Sequence, residues 1–558
     1  MASANIARHL PLVAARQPQA VALKVPRGRT HDGRIDYLSL TFAELETEAA
    51  AWQQRLRSAG VQPGDRVLVM VRQGLPLLAA VFALFALGAV PVVIDPGMGR
   101  KSFLSCVARS RPRVLLGIPL ARCLSHVFRS AFRSVMIRVS AASSATKRMA
   151  AAGSSAAHLS VHESRPDELA AILFTSGSTG APKGVCYAHG MFEAQVQLIR
   201  EAYDIQPGEI DLPMLPLFAL FNPALGMTTI VPEIDPGRPA QVDPARIVQA
   251  IQQEGVTNSF GSPTLWLKIA RYCEEHNERL PSLRRVLSAG APVPPALWEL
   301  MGRVAPHGEL HSPYGATESL PVSTISAREV LGGTAALTLA GHGTCVGHPL
   351  PANDVRIIKP VDGSLATLAE AEELPAGSIG EIIVRGPSVT QAYDQLPDAT
   401  ARAKIRADRG PDSAIFHRLG DAGYRDTTGR LWFCGRLAER VLTALGPLYT
   451  EQVEPIFQAH PEVRRCALIG LGPTGQQLPA LVVELRDRMR LRRPNAPREL
   501  AMELFNLARP HASAARVRHF YFHQNLPVDV RHNAKIHRLT LARWAATRPP
   551  LVIEENRA

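Results

Sequence analysis

The sequence feature that most limits the fold is a run of small and hydroxylated residues directly after an apolar segment. Residues 174–190 read FTSGSTGAPKGVCYAHG, and the apolar run AAILF at 170–174 leads into them. A buried strand followed by a glycine-rich turn is typical of α/β sheets, in which ligands bind beyond the carboxyl ends of the strands. Small residues also let backbone N–H groups come close to an anion. The stretch therefore predicts a phosphate-binding loop at the end of a buried strand.

This loop differs from the Walker loop, which has glycine directly before its lysine and a hydroxyl residue directly after it. Here Pro182 precedes Lys183, and Gly184 follows it. A plain serine and glycine linker would seldom carry a Pro-Lys-Gly end on a buried strand, so we interpret the loop as a phosphate site of another kind. The candidate phosphate ligands are Thr175, Ser176, Gly177, Ser178, Thr179, Gly180 and Lys183.

Short β-branched runs alternate with helix-length amphipathic segments along most of the chain. Examples are RVLVMV (66–71), AAILFT (170–175) and EIIVRG (381–386). Such alternation predicts the α/β class, with layers of helices on mostly parallel sheets.

The apolar segment 75–94 is long enough to span a bilayer. However, Gly88 and Pro91 divide it into a helix-length piece and the β-branched run VPVVI. We therefore expect a buried helix followed by a buried parallel strand, and no transmembrane span.

A chain of 558 residues is too long for one hydrophobic core, so two or more domains are expected. The pattern breaks near Arg436, after which a helix and two strands of a small α+β unit are indicated. We predict a large N-terminal domain at 1–436 and a small C-terminal domain at 437–558.

The seven cysteines are scattered and never spaced as CxxC. This pattern is typical of reduced cytosolic thiols and not of a disulfide framework or a zinc site. The N-terminus lacks the sustained apolar region of a signal peptide, so the sequence predicts a cytoplasmic protein.

The net charge of +13 is unevenly spread, since the stretch 96–162 contains eleven lysines and arginines and no acidic residue. We favour a solvated basic face for this stretch. The alternative is a docking surface for anionic lipid, an acidic partner or nucleic acid. Nucleic acid is the weakest of these, because no zinc finger or RNP-like motif accompanies the charge.

Four further segments are rich in turn and polar residues. They are LRRVLSAGAPVPPAL (283–297), HSPYGATES (311–319), RLGDAGYRDTTGRLWFCGR (418–436) and PVDVRHNAKIHRL (527–539). Taken singly, each is more often a turn than a site. In order and spacing, together with TSGSTGAPKG, they resemble the adenylate-forming superfamily of acyl-CoA synthetases, peptide-synthetase adenylation domains and luciferases, across nearly the whole chain.

The resemblance implies the superfamily fold, a large N-terminal domain and a small mobile C-terminal domain, with ATP and Mg²⁺ bound by the chain. Lys535 is implied to neutralise charge at the reacting carboxylate, Thr317 to contact the α-phosphate and Glu318 to hold Mg²⁺. The other implied nucleotide contacts are the adenine, turn and ribose residues Gly290, Ala291, Tyr314, Gly315, Asp421 and Arg436.

Some positions depart from the pattern of acyl-CoA synthetases. Ala219 stands where they typically carry histidine, and Ala438 stands at the usual acidic or basic hinge position. Leu442 replaces the lysine that usually follows the hinge, and Ala534 replaces the usual glycine before the C-terminal lysine. These departures weaken the case for a standard cycle that loads coenzyme A.

The segments 190–236 and PVDVRHNAKI resemble one branch of the superfamily, the olefin β-lactone synthetases of bacterial long-chain hydrocarbon biosynthesis. The resemblance implies ATP-dependent activation of a 2-alkyl-3-hydroxy fatty acid as an acyl adenylate, followed by attack of the 3-hydroxyl to close a β-lactone. The alternatives are a long-chain acyl-CoA or acyl-ACP synthetase and a non-catalytic nucleotide-binding scaffold.

The apolar run LPLFALFNPALGM at 215–227 is a candidate wall for the alkyl chains, with Phe218, Phe221 and Asn222 as its site residues. A base for the hydroxyl is left open between His189, Asp211 and none. The branch also implies pathway partners, namely a thiolase-like condensing enzyme, a ketoreductase and a β-lactone decarboxylase, for which the stretch 96–162 is a candidate docking face.

Overall fold

The computed structural model describes residues 3–141, 158–175, 181–235, 241–410, 413–528 and 535–554. Within these ranges the strands are β1 Val21–Arg29, β2 Ile35–Thr41, β3 Arg66–Met70, β4 Val90–Ile94, β5 Val114–Gly117, β6 Ile137–Ser140, β7 Leu169–Thr175, β8 Lys183–Ala188, β9 Ile210–Pro213, β10 Thr228–Ile230, β11 Asn258–Gly261, β12 Arg285–Ser288, β13 Glu309–Ala316, β14 Ser319–Ser326, β15 Thr344–Cys345, β16 His348–Pro349, β17 Asp354–Ile358, β18 Gly380–Arg385, β19 Lys404–Arg406, β20 Ile415–Arg425, β21 Leu431–Arg436, β22 Val441–Thr443, β23 Gly446–Leu448, β24 Val463–Leu471, β25 Leu478–Leu485, β26 His519–Phe522 and β27 Leu551–Val552.

The α-helices begin mostly at residues suited to a helix start. Thr41 and Glu44 form a capping box at the start of α2, and proline occupies the first turn of several others. The helices are α1 His9–Arg16, α2 Phe42–Ser58, α3 Leu75–Ala86, α4 Arg100–Ser110, α5 Pro119–Val127, α6 His189–Tyr203, α7 Asn222–Leu225, α8 Pro244–Glu254, α9 Pro263–Glu275, α10 Pro295–Val304, α11 Ala327–Glu329, α12 Ala335–Leu339, α13 Pro397–Ala403, α14 Thr450–Gln458, α15 Ala496–Ala508 and α16 Arg538–Ala545.

One six-stranded sheet has the order β6-β5-β3-β4-β7-β8 and is parallel except for its last pair. The predicted strand AAILFT is β7, and β8 returns antiparallel to it, so that Thr175 pairs with Lys183. The apolar segment 75–94 forms α3 and then β4, which confirms the predicted helix and parallel strand. No helix in the described part of the chain is both long and apolar enough to cross a membrane.

A nine-stranded sheet has the order β16-β14-β13-β12-β11-β9-β10-β1-β2, with parallel pairing from β13 to β1 and antiparallel strands outside. Together with the six-stranded sheet and the helices packed on both, it confirms the α/β class. Gly290 follows the carboxyl end of β12, and Thr317 lies in the turn between β13 and β14. Both positions lie at the edge of a sheet where ligands usually bind.

A third sheet, β15-β21-β20-β18-β17 with β19 on its side, is antiparallel throughout. Its register places Asp421 on β20 directly opposite Arg436 on β21. The predicted strand EIIVRG is β18, but it pairs antiparallel on both sides and so does not belong to a parallel sheet as the alternation predicted.

Beyond residue 436 the chain forms the hairpin β22-β23 and the four-stranded sheet β24-β25-β26-β27. One hydrophobic cluster is built only from residues between Val441 and Ile553. Helix α14 packs against β21, and the Thr344 hydroxyl donates a hydrogen bond of 2.8 Å to Glu451. The last two contacts join the chain on either side of 436/437, and the division there stays a prediction.

Candidate active site

The main cavity of the described residues has a volume of about 2440 Å³. Pockets for small ligands usually measure roughly 300–1,000 Å³, so this cavity has room for more than one small molecule. The residues that line it come from all three large sheets and from the C-terminal segment. Among them are the predicted site residues Lys183, Phe218, Phe221, Gly290, Ala291, Tyr314, Gly315, Thr317, Glu318, Asp421, Arg436 and Lys535.

Asp421 is the centre of a buried polar group in this cavity. The Tyr314 hydroxyl donates a hydrogen bond of 2.6 Å to Asp421 Oδ2, and Arg436 Nη1 lies 2.9 Å from Oδ1. Burial raises the pKa of Asp421, and the guanidinium of Arg436 acts in the opposite direction. Arg436 also donates to the Leu419 carbonyl over 3.0 Å. The ring of Tyr314 and the carboxylate of Asp421 are therefore held in fixed orientations, as a nucleoside site requires.

Glu318 is oriented by groups that sequence reasoning did not identify. The Tyr393 hydroxyl donates a hydrogen bond of 2.6 Å to Glu318 Oε1, and the Glu318 carbonyl accepts from the Thr390 N–H over 2.9 Å. On the preceding residue, the Thr317 carbonyl accepts from the Tyr187 hydroxyl. The turn between β13 and β14 is thus fixed at both its backbone and its carboxylate.

The chemistry of Glu318 fits Mg²⁺, which prefers carboxylate, phosphate and water oxygens and seldom uses a cage made only of protein groups. No cluster of three or more metal-binding side chains occurs in the part of the chain that the structure describes. A single carboxylate such as Glu318 can hold Mg²⁺ only together with other oxygen ligands, such as phosphates.

Two lysines lie near Tyr393. Lys183 Nζ is 4.7 Å from the centre of the Tyr393 ring, a distance at which a cation is attracted to the aromatic face. Lys404 is buried and donates to the carbonyl and, over 3.1 Å, to the hydroxyl of Thr390. Burial lowers the pKa of Lys404 to about 7, although the charge of Glu318 opposes this. A single lysine or tyrosine has no motif of its own, so Lys404 and Tyr393 could not be found from the sequence.

Lys535 lines the same cavity as Glu318 and Asp421. Its charge acts to lower the pKa of Asp421, so the two side chains influence each other electrostatically. Three residues further on, Arg538 donates two hydrogen bonds of 2.7 and 2.6 Å to Glu454 and one of 2.8 Å to Glu439. This bidentate contact fixes the segment that follows Lys535.

The apolar part of the cavity contains stacked aromatic rings. The rings of Phe218 and Phe260 are stacked with centres 3.8 Å apart, and Phe221 lies 6.4 Å from Phe218. On the other side of Phe221, the Phe192 ring is 6.3 Å away and is itself stacked on Tyr187 at 5.1 Å. Phe218 and Phe221 thus belong to a continuous aromatic wall.

The structure places Asn222 elsewhere. It is not among the described residues that line the cavity, and its buried amide donates to Asp211 and Thr229, each over 2.9 Å. We therefore reassign Asn222 from the substrate wall to a structural position, because its donors are already engaged.

Neither suggested base is in the cavity lining formed by the described residues. Burial raises the pKa of Asp211 to about 7 and lowers the pKa of His189 to about 4. His189 packs against the ring of Phe85 with centres 6.2 Å apart.

The predicted phosphate ligands Ser176, Gly177, Ser178, Thr179 and Gly180 lie outside the described residues. What the structure describes is the backbone of Thr175 at the end of β7, and Lys183 at the start of β8.

Comparisons with known proteins show which family the chain resembles. The family model described as AMP-binding enzyme matches residues 11–394. Over 551 residues the chain is 44% identical to the olefin β-lactone synthetase of Xanthomonas campestris, covering 97% of both chains. It is also 44% identical to the olefin β-lactone synthetase of Stenotrophomonas maltophilia, covering 97% of this chain and 98% of the other.

Among solved structures, the amide bond synthetase McbA of Marinactinospora thermotolerans superposes with a TM-score of 0.75 at 23% identity, covering 97% of this chain and 99% of the other. At this identity the likeness concerns the fold, with its large N-terminal and smaller C-terminal parts. By family model, full-length similarity and fold, the chain belongs to the AMP-binding family of adenylate-forming enzymes.

Proposed function

We propose that the protein is an AMP-forming ligase that converts a 2-alkyl-3-hydroxy fatty acid into a β-lactone in long-chain olefin biosynthesis. ATP activates the carboxylate as an acyl adenylate with release of pyrophosphate. The 3-hydroxyl of the same molecule then displaces AMP and closes the four-membered ring. The full-length similarity to two olefin β-lactone synthetases supports this activity.

One observation carries the proposal: a polar group and an aromatic wall line the same cavity. The polar group is Lys535, Glu318 and Asp421, and the wall is Phe218 and Phe221. The polar group suits a nucleotide and its reacting phosphate. The aromatic wall suits alkyl chains, because burial of apolar surface contributes about 25 cal/mol per Å². A substrate with a carboxylate and two alkyl chains matches both parts.

In the first step a carboxylate oxygen attacks the α-phosphorus of ATP, and pyrophosphate leaves. Two anions must approach each other, so the protein's contribution is mainly positioning and charge neutralisation. Lys535 supplies a positive charge beside the reacting pair, and Thr317 donates to the α-phosphate. Asp421 and Tyr314 hold the ribose and adenine, with Gly290, Ala291 and Gly315 against the base.

Mg²⁺, when bound, would neutralise phosphate charge, and Glu318 is the residue that would hold it. Lys183 and the loop that precedes it would bind the β- and γ-phosphates, which depart as pyrophosphate.

In the second step the 3-hydroxyl oxygen attacks the acyl carbon, the bond to AMP breaks, and the hydroxyl proton passes to the departing phosphate. Because the nucleophile and the acyl carbon belong to one molecule, the enzyme needs only to hold them close together. We assign no protein base to this step, since His189 and Asp211 lie outside the described cavity lining. Ring strain is offset by cleavage of the reactive mixed anhydride.

We further propose that the protein works in the cytoplasm beside the enzymes that make its substrate and consume its product. As the resemblance implies, these are a thiolase-like condensing enzyme, a ketoreductase and a β-lactone decarboxylase. This part of the proposal rests on the resemblance to the olefin pathway alone.

Product analysis tests the function directly. The protein is incubated with ATP, Mg²⁺ and a 2-alkyl-3-hydroxy acid, with and without coenzyme A, and the products are identified by mass spectrometry. We expect β-lactone and AMP in equal amounts without coenzyme A. The matched control is the same acid lacking the 3-hydroxyl, which should be adenylated but give no lactone.

A thioester that forms only with coenzyme A, without lactone, would contradict the proposal and favour an acyl-CoA synthetase. Failure to release pyrophosphate with any acid would favour a non-catalytic scaffold.

A further inference from the structure

Helix α5 (Pro119–Val127) exposes an apolar stripe on the protein surface. The helix packs against β5 and β6, with the small side chains of Ala121 and Ser125 buried. Leu120 and Val127 are 64% and 66% exposed, and the exposed Cys123 lies between them. Residues spaced by three and four lie on one side of a helix, so the three side chains form one outward stripe.

This stripe begins at one opening of the main cavity. Leu120 and Leu124 line the cavity, although Leu120 is mostly exposed to solvent. A residue that lines a cavity and is also largely exposed lies where the cavity opens. Gly97, which is exposed and comes just before α4, also lines the cavity. One opening of the cavity therefore lies near the starts of α4 and α5.

The chain segment that carries α4 and α5 is cationic. Residues 96–141 contain nine lysines and arginines and no acidic residue. The exposed ones are Arg100, Lys101, Arg111, Arg129 and Arg133. None of the five forms an ion pair with an acidic side chain within the described residues. Met136, between the cations and β6, is 76% exposed.

We propose that this surface, which we call the α5 face and define as Arg100–Lys101 together with residues 119–136, docks on an anionic lipid surface. Interfacial membrane binding has two elements. Exposed apolar side chains enter the headgroup region, and flanking arginine and lysine side chains attract anionic lipid. Charge complementarity selects an anionic membrane surface. A face with arginine and lysine and no acidic residue is attracted to negative charge and gains no such attraction from a neutral membrane.

Docking in this way brings the opening beside Leu120 to the membrane surface, where a molecule with two long alkyl chains partitions. The identity of this cargo rests on the proposed function, but the docking itself does not. The helix lies on the surface of the sheet and is shorter than a bilayer span, so the contact is peripheral.

Vesicle flotation tests the proposal in the absence of ATP and substrate. The full-length protein is mixed with vesicles of phosphatidylglycerol and phosphatidylcholine, or of phosphatidylcholine alone, and the floated fraction is measured. We expect flotation only with the anionic vesicles and its loss at high salt. Each cation near an anionic surface is worth roughly fivefold in partition, so Arg129→Glu/Arg133→Glu should reduce partition at least about 25-fold.

A second variant tests the apolar stripe. Val127→Asp should reduce partition by about fivefold or more, because it removes one inserted side chain and adds a repelled charge. The matched control is Arg406→Glu/Arg409→Glu, the same charge change at two exposed residues outside the α5 face, which should float like the unaltered protein. ATP–pyrophosphate exchange with a short soluble acid checks that all variants fold.

Equal flotation with neutral and anionic vesicles, or no flotation at all, would overturn the proposal. Loss of co-purification with the other olefin-pathway enzymes in Arg129→Glu/Arg133→Glu, without any vesicle binding by the unaltered protein, would assign the α5 face to a protein partner instead. A protein that binds vesicles but makes no lactone would leave docking intact and contradict only the proposed function.

Discussion

The polar and aromatic ends of the main cavity are built in different ways. At the polar end each carboxylate has a specific donor, such as the Tyr314 hydroxyl on Asp421 and the Tyr393 hydroxyl on Glu318, both at 2.6 Å. At the aromatic end, Phe218, Phe221 and Phe192 contact one another through rings whose centres lie 6.3 to 6.4 Å apart.

Directed bonds tolerate little change, whereas ring packing can adjust to substrates of different shape. The polar end should therefore decide whether adenylation occurs, and the aromatic end should decide which acid is adenylated. Each of the following variants tests this division.

The largest effect is expected for Lys535→Ala. Loss of the positive charge beside the reacting carboxylate and phosphate should slow ATP–pyrophosphate exchange by about 100-fold or more. Lys359→Ala is the matched control, because this lysine is 62% exposed and pairs with Glu372 on the surface. Exchange at the unaltered rate in Lys535→Ala would show that the polar end does not depend on the C-terminal segment.

Asp421→Asn should have the next largest effect. It leaves the half-buried guanidinium of Arg436 without its ion-pair partner and removes a charged acceptor for hydroxyl groups, so the Kd for ATP should rise about 10- to 100-fold. Isothermal titration measures this change. Tyr314→Phe keeps the ring and loses only the hydroxyl, and its Kd should rise no more than about fivefold; an equal rise in both variants would contradict the separate role of Asp421.

Phe218→Ala tests the aromatic end of the cavity. Removal of the ring stacked on Phe260 should raise the KM for a long-chain 3-hydroxy acid about tenfold. The rate with a short acid that does not reach the wall should stay within about twofold, and this substrate serves as the internal control. A similar loss of activity with both acids would show that Phe218 supports the fold and does not contact the alkyl chains.

The smallest effect on turnover is expected for Glu451→Gln, which instead changes stability with pH. Burial raises the pKa of Glu451 to about 7 from its usual 4.5. The folded protein therefore favours the protonated acid, and this stabilisation is complete below pH 4.5 and is lost as pH rises through 7.

The loss amounts to at most about 3 kcal/mol, since one pKa unit corresponds to about 1.4 kcal/mol. Glutamine cannot ionise, so in Glu451→Gln the free energy of unfolding should fall less between these pH values. Chemical denaturation across the range measures it, with Glu372→Gln, an exposed glutamate, as the control. Parallel pH profiles of the unfolding free energy in Glu451→Gln and the unaltered protein would contradict the raised pKa of Glu451.

Much of the fold could be predicted because local patterns and long-range packing agree. The run AAILFT forms the buried strand β7, and the division of 75–94 at Gly88 and Pro91 produces α3 and β4. In both cases β-branched or apolar runs end at residues that break regular structure.

The polar site was predictable where its residues occur in short motifs, as in YGATE at 314–318. Tyr393 was not, because it reaches Glu318 from a distant segment of the chain, and Lys404 was not, because no motif marks its contact with Thr390. Asn222 shows the opposite failure, since it was assigned to the substrate wall with the apolar run that contains it, yet its amide bonds to Asp211 and Thr229 on adjacent strands.

Oxygen labelling tests most directly the central claim that an acyl adenylate is closed by the substrate's own hydroxyl. The 2-alkyl-3-hydroxy acid is prepared with heavy oxygen in its carboxylate, or in its hydroxyl, and the products are analysed by mass spectrometry. We expect one carboxylate label in AMP and the other in the lactone carbonyl, with the hydroxyl label retained in the ring. A hydroxyl label lost from the lactone, or a carboxylate label found in pyrophosphate and not in AMP, would contradict the claim.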